Sequence, residues 1–194
     1  MQSNEVLAAS ADDVLEITRV FDAQRALVWR LWADPAHRMR WWGPEGFSLH
    51  ECEVDFRVGG QWRVLMVHVS GEEHRVVGEF REIREPSRLS FTYTNSDDHN
   101  ETLVTLDFSE TGGKTRMQFR QASFPSAATR DAHAWGWSWS FALFAEYAPK
   151  IDPVGMGPMG PPRSQGMAAD IIAARAHPGR RTDPPGITSE GDNG

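Results

Sequence analysis

The sequence has a single cysteine, Cys52, among its 194 residues. No disulfide can therefore form within the chain, and no cysteine cluster is available for zinc. The sequence also has no H-x-E-x-H pattern that would hold a metal and no GxxxxGK[ST] loop that would cradle a phosphate. We expect neither a metal nor a cofactor, and we expect Cys52 to be a small buried residue rather than a nucleophile.

Long apolar runs and basic runs are missing as well. No apolar run approaches the roughly 18 to 20 residues of a membrane span, and the first residues lack the basic and apolar regions of a signal peptide. The net charge is −7, and residues 1–149 hold 15 Lys or Arg against 22 Asp or Glu. Because affinity for nucleic acid comes largely from cations that meet phosphates, we expect a cytoplasmic protein that binds neither nucleic acid nor membrane. The oligomeric state stays open.

The last 45 residues contain no aromatic side chain, although the chain has 20, and they hold seven of its 12 prolines. Such a segment buries too little apolar surface to offset the entropy cost of ordering it. We predict a flexible N-terminus over residues 1–12, one domain over 13–149 and a disordered tail over 150–194. Residues 165–176 could form a short helix with Met167, Ile171 and Ile172 on one side. We expect such a helix to fluctuate without a function; the alternative is that it docks on the domain or on a protein partner.

Aromatic residues concentrate instead just before this tail, in residues 126–150. The spacing of apolar side chains by three and four predicts one long helix, which Ser126 would cap and Pro149 would end. One face of this helix carries His133, Trp137, Phe141, Phe144 and Ala148. So wide an aromatic face is typical of a helix held against a curved surface.

The preceding residues predict such a surface. A strand at 14–21 leads into two short helices, 24–33 and 35–41, the first of which Asp22 would cap. Six further strands follow, at 48–56, 61–69, 73–84, 88–95, 101–109 and 114–122. Their connections are too short for parallel crossovers, so neighbours must be antiparallel. The predicted fold is α+β: a curved antiparallel sheet of about seven strands wrapped around the long C-terminal helix, with two short helices between strands 1 and 2.

Alternate residues of these strands are strongly apolar and should face the helix. Together they predict an apolar cavity between helix and sheet, lined by Trp41, Trp62, Met66, Phe80, Phe91, Tyr93, Met117, Phe119, Gln121, His133, Trp137, Phe141 and Phe144. Tyr93, Gln121 and His133 would supply the few polar contacts that orient an apolar ligand. If the cavity is catalytic, His68, Tyr93 and His133 are the candidates for proton transfer, but none of them belongs to a recognised nucleophile motif.

Four short motifs add a family resemblance over roughly residues 12–149. They are Arg40-Trp41-Trp42-Gly43-Pro44, then Asp55-Phe56-Arg57-Val58-Gly59-Gly60, then Gly78 with Glu85-Pro86-Ser87-Arg88-Leu89, and finally Gly136-Trp137. In this order they resemble the activator of heat-shock-protein-90 ATPase homologue-like family of the SRPBCC, or START-like, superfamily. The resemblance implies a helix-grip fold with a hydrophobic pocket between the sheet and the last helix.

The same resemblance leaves several functions open, because fold does not determine chemistry. The first hypothesis is a non-catalytic protein that binds a small hydrophobic molecule, aromatic or polycyclic, in the pocket. The second is an enzyme, resembling polyketide cyclases, aromatases or hydratases, that folds a reactive polyketide-like chain in the same pocket or adds water to it. The third is an interaction domain that resembles a co-chaperone. For Asp55 and Arg57 we expect a structural role, in which they pair with each other and hold the Gly59-Gly60 turn.

Overall fold

The computed structural model describes residues 13–96 and 99–152. The predicted flexible N-terminus and nearly all of the predicted disordered tail, with its short helix, lie outside the described residues. The described elements, in chain order, are β1 (Val14–Phe21), α1 (Arg25–Ala33), α2 (Pro35–Trp41), β2 (Phe47–Val54), β3 (Gln61–His68), β4 (Glu73–Arg84), β5 (Arg88–Asn95), β6 (Glu101–Thr111), β7 (Lys114–Ala122), α3 (Ala127–Tyr147) and a short 3-10 turn (Ala148–Lys150).

The seven strands form one antiparallel sheet in the order β1-β7-β6-β5-β4-β3-β2. From β2 to β7, each strand pairs with the strand that follows it in the chain, so this part of the sheet is a meander. The pair α1 and α2 connects the two edge strands, β1 and β2, and α3 returns across the sheet after β7. This is the helix-grip arrangement, and it confirms the predicted fold class.

The helix boundaries show which predicted caps form. Ser126 accepts a hydrogen bond from the Thr129 backbone N–H at 3.2 Å, as predicted for α3. The backbone N–H of Ala36 donates to Asp34 Oδ1 at the start of α2. The prediction that Asp22 caps α1 is wrong: α1 begins after Gln24, without a side-chain cap. The Asp22 carboxylate lies 3.4 Å from Lys114 Nζ instead, because Asp22 follows the end of β1 beside the first residue of β7.

The side chains of Asp55 and Arg57 pair at the turn between β2 and β3, as expected. Arg57 Nε lies 2.9 Å from Asp55 Oδ2, and the chain closes through hydrogen bonds of Gly59 N–H to Phe80 O and of Phe80 N–H to Gly60 O. Gly59 has φ +77°, a conformation that other residues rarely adopt. Both side chains of the Asp55–Arg57 pair are largely exposed, so the pair holds the turn and lies outside the core.

Side chains of β6 and β7 alternate between buried and exposed, and the buried set faces α3, whereas β5 is buried over five consecutive residues, Leu89 to Tyr93. In β7, for instance, Met117 and Phe119 are buried, whereas Gln118 and Arg120 are exposed. The outward face carries ion pairs, among them the pair of Arg88 with Asp107 at 2.7 Å. Among the described residues, no helix is both long and apolar enough to cross a bilayer.

Candidate ligand site between the last helix and the sheet

The interior between α3 and the sheet is a continuous cluster of aromatic rings. Trp137 on α3 lies 4.8 Å, centroid to centroid, from Phe119 on β7, and 4.9 Å from Trp42, the residue after α2. Trp42 in turn lies 5.6 Å from Trp62 on β3. The sequence predicts an apolar cavity here; in the structure the apolar lining is present, and its rings contact one another. A ligand bound here would replace ring-to-ring contacts with contacts of its own.

A second part of the cluster is structural packing around the C-terminal half of α3. Trp41 is fully buried between Trp32 and Phe144, at 4.8 Å from each ring. Its indole N–H donates to the Leu31 carbonyl at 3.2 Å. With its polar atom satisfied by the backbone and its ring enclosed, Trp41 lies deep in the core, away from the polar groups described next.

Those polar groups form a buried network under the N-terminal half of α3. Gln121 on β7 is fully buried. Its Oε1 accepts a hydrogen bond from Trp137 Nε1–H at 2.7 Å, and its Nε2 donates to Thr102 Oγ1 at 2.7 Å. The Thr102 hydroxyl donates onward to the Tyr93 carbonyl at 3.0 Å. Buried polar groups are costly unless paired, and this network pairs both ends of the Gln121 amide.

His133 joins the same network from the surface side. Its Nδ1 lies 3.1 Å from Gln121 Nε2, and its ring packs 5.2 Å from Tyr93 and 5.1 Å from Phe124. In the tautomer protonated at Nε2, the His133 Nδ1 accepts a hydrogen bond from the Gln121 amide. The structure therefore brings together the three predicted polar contacts, Tyr93, Gln121 and His133.

The N-terminal half of α3, which covers this network, is the less buried half of the helix. All fully buried side chains of α3 lie at or after Trp137, and none occurs in residues 127–136. His133 and Ala134 are the partly buried residues nearest to the interior in that half. Residues 127–136 of α3 are thus a less buried cover of the interior than the C-terminal half of the helix.

One more polar side chain lies inside the cluster, and it is charged. Arg38 on α2 is fully buried, and its guanidinium carbon lies 5.4 Å from the Trp42 ring centroid, 5.9 Å from that of Trp62 and 5.7 Å from that of Phe80. Its Nε–H donates to the Trp32 carbonyl. Burial lowers the pKa of Arg38 to about 10, so the side chain is still a cation at neutral pH.

Cys52 lies beside this arginine and does not neutralise it. The residue is buried, and burial raises the pKa of its thiol to about 11, although the nearby Arg38 acts in the opposite direction. Because the thiolate is the nucleophilic form, a thiol with this pKa is unreactive at neutral pH. The description agrees with the expectation of a small buried residue.

His68, the other histidine singled out in the sequence, lies elsewhere. It ends β3, where its Nδ1 is 2.8 Å from Ser70 Oγ and its ring 4.8 Å from Phe47. A side chain at Gly46 would strike the His68 ring, since a Cβ there would lie 2.7 Å from Nε2. The contacts of His68, with Ser70 and Phe47, thus differ from those of His133, with Gln121, Tyr93 and Phe124. The remaining predicted lining residues are buried in the cluster: Met66, Phe80, Phe91, Met117, Phe119, Phe141 and Phe144.

An open groove of about 820 Å³ lies on the other side of the sheet, from β2 to the start of β6. Its walls are mostly charged or polar, and Arg63 and Arg81 in these walls already pair with Glu53 and Glu79, both at 2.7 Å. Within the described part of the chain, no group of three His, Cys, Asp or Glu residues is placed to hold a metal ion.

Comparison with known families settles what this architecture is. The profile of the family described as activator of Hsp90 ATPase homolog 1-like protein matches residues 22–148. The chain belongs to this family. The match covers all the elements that build the site, from α1 to the end of α3. No curated protein matches the chain.

Solved structures of bacterial proteins agree with this membership. A protein of Chromobacterium violaceum is 24% identical, with a TM-score of 0.65, and the match covers 72% of this chain and 99% of the other. The AHSA1 protein of Silicibacter pomeroyi is 26% identical, with a TM-score of 0.61 and coverage of 69% and 95%. A protein of Arthrobacter aurescens is 25% identical, with a TM-score of 0.61 and coverage of 79% and 99%.

The motifs of this Hsp90-activator-like domain now have physical explanations. The Gly43 backbone N–H donates to Ser140 Oγ at 3.1 Å, which fastens the Trp-Trp-Gly-Pro loop to α3. Gly136 faces the same loop, 3.7 Å from Pro44 Cβ as measured from the position that a Cβ would occupy. The Arg40–Pro44 and Gly136-Trp137 motifs are therefore two sides of one contact, which places Trp42 against Trp137.

Sequence reasoning missed two residues of the site in this family member: Thr102 as a partner of Gln121, and Arg38. A signal for Arg38 was present. Arg38 and Trp41 are three residues apart on a seven-residue helix and so share its buried face. This spacing predicts that Arg38 is buried together with Trp41 and is therefore a buried cation.

Proposed function

We propose that this domain binds a small hydrophobic molecule, aromatic or polycyclic, between α3 and the sheet. The observation that carries the proposal is the buried network of Gln121 with Trp137, Thr102 and His133, set in a wall of aromatic rings. Ligand sites typically combine an apolar lining with a few convergent polar groups, and this is the chemistry of the network and its surroundings. The thin cover of residues 127–136 supplies the route of access.

The rings themselves favour a flat, apolar guest. Trp42, Trp62 and Trp137 present wide faces, and Tyr93 lies 5.9 Å from Trp62 and 6.0 Å from Trp137. Rings stack on rings at such separations with a favourable energy beyond area burial, about 0.5 to 1.5 kcal/mol per pair. An aromatic guest that inserts among them therefore recovers the contacts that it displaces.

A titration with the neutral fluorescent dye N-phenyl-1-naphthylamine tests this proposal. We expect saturable binding of one dye per chain. Replacing Ala134 with Phe should weaken binding by more than about tenfold, because the new ring would occupy the interior below α3 and overpacking of this kind resists accommodation. Dye fluorescence measures the affinity, and the melting temperature of each variant confirms that it folds.

Ala132→Phe is the matched control, since Ala132 lies on the exposed side of the same helix two residues earlier. This variant should bind the dye as the unaltered chain does. Equal affinity of both variants would place the dye elsewhere, for instance in the outward groove. A lack of saturable binding by the unaltered chain would refute the proposal itself.

A second candidate function is catalysis in the same interior, and the placement of Tyr93 against His133 is the observation in its favour. The two side chains could move a proton to or from a reactive guest held against the rings. This enzyme, similar to polyketide cyclases or hydratases, would lose turnover on Tyr93→Phe or His133→Ala and still bind its substrate. The co-chaperone interpretation, which the family's description also suggests, stays a prediction.

A further inference from the structure

The interior has hydrogen-bond donors without acceptors. Among the described residues, nothing accepts from Arg38 Nη1 or Nη2, and the buried indole nitrogens of Trp29, Trp32 and Trp62 also lack a partner. The three tryptophans belong to one core cluster, whose rings also surround the Arg38 guanidinium, and all five atoms are donors. Leaving a buried donor without an acceptor is unfavourable, and leaving a charged one so is more unfavourable still. The arrangement thus calls for a species that brings acceptors.

The charge of Arg38 makes the lack of acceptors more unfavourable. No described carboxylate pairs with the guanidinium, and its titratable neighbour, Cys52, is a protonated thiol at neutral pH. One nitrogen, Nε, is used by the Trp32 carbonyl, which fixes the side chain at the C-terminal end of α1. The rings of Trp42 and Trp62 then flank the guanidinium. The two Nη groups that remain form the edge with which arginine binds carboxylates in a bidentate manner.

The same rings connect Arg38 to the proposed site. Trp42 contacts both Arg38 and Trp137, and Trp62 contacts both Arg38 and Tyr93. A guest inserted among these rings would therefore reach the guanidinium at one end and the Gln121 network at the other. We propose that the ligand of this domain is an aromatic or polycyclic acid, whose carboxylate pairs with Arg38. This inference rests on the proposed function and adds the ligand's charge.

Isothermal titration of the full chain with 2-naphthoate and with 2-naphthamide tests the inference, because the two probes differ mainly in charge. A charge-assisted bidentate pair in a buried site should favour the carboxylate by about 10- to 100-fold. Arg38→Met should remove this preference, because the acid loses a charge-assisted pair whereas the amide loses only a weaker hydrogen bond. It should also melt no lower than the unaltered chain, because an apolar side chain in place of an uncompensated buried charge is neutral or stabilising.

Arg116→Met is the control for net charge, since Arg116 is an exposed residue of β7, and it should keep the full preference. Equal affinity of the unaltered chain for both probes would overturn the inference without the need for any variant, as would a preference that survives in Arg38→Met. Acetate that competes as well as 2-naphthoate would show a site for small anions and would equally contradict it. If neither naphthyl probe binds, the proposed function fails; if the amide binds and the acid is not preferred, only the assignment of charge fails.

Discussion

Gly78→Ala is expected to lower the free energy of unfolding by about 3 kcal/mol or more, or to prevent folding altogether. A Cβ at this position on β4 would lie 1.8 Å from the Thr92 carbonyl oxygen on β5 and 2.5 Å from Trp62 Nε1 on β3. The oxygen belongs to the backbone of a paired strand, so the sheet itself would have to shift. Urea unfolding followed by tryptophan fluorescence measures the change.

Gly136→Ala serves as the control for this prediction, because it is the same chemical change in a place with room. The nearest atom to a Cβ there is Pro44 Cβ, at an ordinary contact distance of 3.7 Å. Alanine is favoured over glycine inside a helix by up to about 1 kcal/mol, so this variant should be as stable as the unaltered chain or slightly more so. If Gly78→Ala unfolded at the same urea concentration as Gly136→Ala, the close approach of β4 to its neighbours would be refuted.

The second large effect is expected at the centre of the ring cluster. Trp32 on α1 is fully buried, and its ring lies within 6.5 Å of six others: Trp41, Trp42, Phe91, Trp137, Phe141 and Phe144. Trp32→Ala removes all these contacts and leaves a large cavity, at a cost of about 3 to 5 kcal/mol. Since domains of this size are stable by only about 5 to 15 kcal/mol, the variant should be close to unfolded at 37 °C. Thermal melting by circular dichroism measures the loss.

Trp135→Ala tests whether the loss at Trp32 is due to burial. Trp135 lies on α3 but is 40% exposed, and exposed substitutions usually change the free energy of unfolding by less than about 0.5 kcal/mol. Comparable melting temperatures for the two tryptophan variants would contradict the arrangement of the core.

The alternation of apolar residues was enough to predict the sheet because side-chain direction in a strand depends on parity alone. Val104, Leu106 and Phe108 on β6 show this, since all three are buried as their spacing requires. The predicted cap of α1 by Asp22 is wrong because of a contact with another strand. A carboxylate near a helix start is a common cap, but Asp22 is two residues too early and faces a lysine on the neighbouring strand. Local spacing alone could not reveal this long-range contact.

The candidate site was harder to predict than the sheet, because part of it is assembled by packing between elements that are far apart in the sequence. Gln121 and His133 are separated by only 12 residues, and strand parity and helix spacing placed both correctly toward the interior. Arg38 is different: its spacing of three from Trp41 indicates a shared face of α2, but whether that face points into the core depends on how α2 packs against β2 and α3. His68 shared the parity of Trp62, but it comes at the very end of β3, where the interior gives way to a turn.

The central claim, that a small apolar molecule binds between α3 and the sheet, is tested most directly by the indole N–H signals of the eight tryptophans. A proton–nitrogen correlation spectrum of the full chain, recorded with and without N-phenyl-1-naphthylamine, follows each of them. We expect the dye to shift the signals of Trp42, Trp62 and Trp137, and to leave that of Trp135 in place, because the first three enclose the proposed site. Binding of the dye with those three signals unmoved, or with Trp135 alone displaced, would contradict the account.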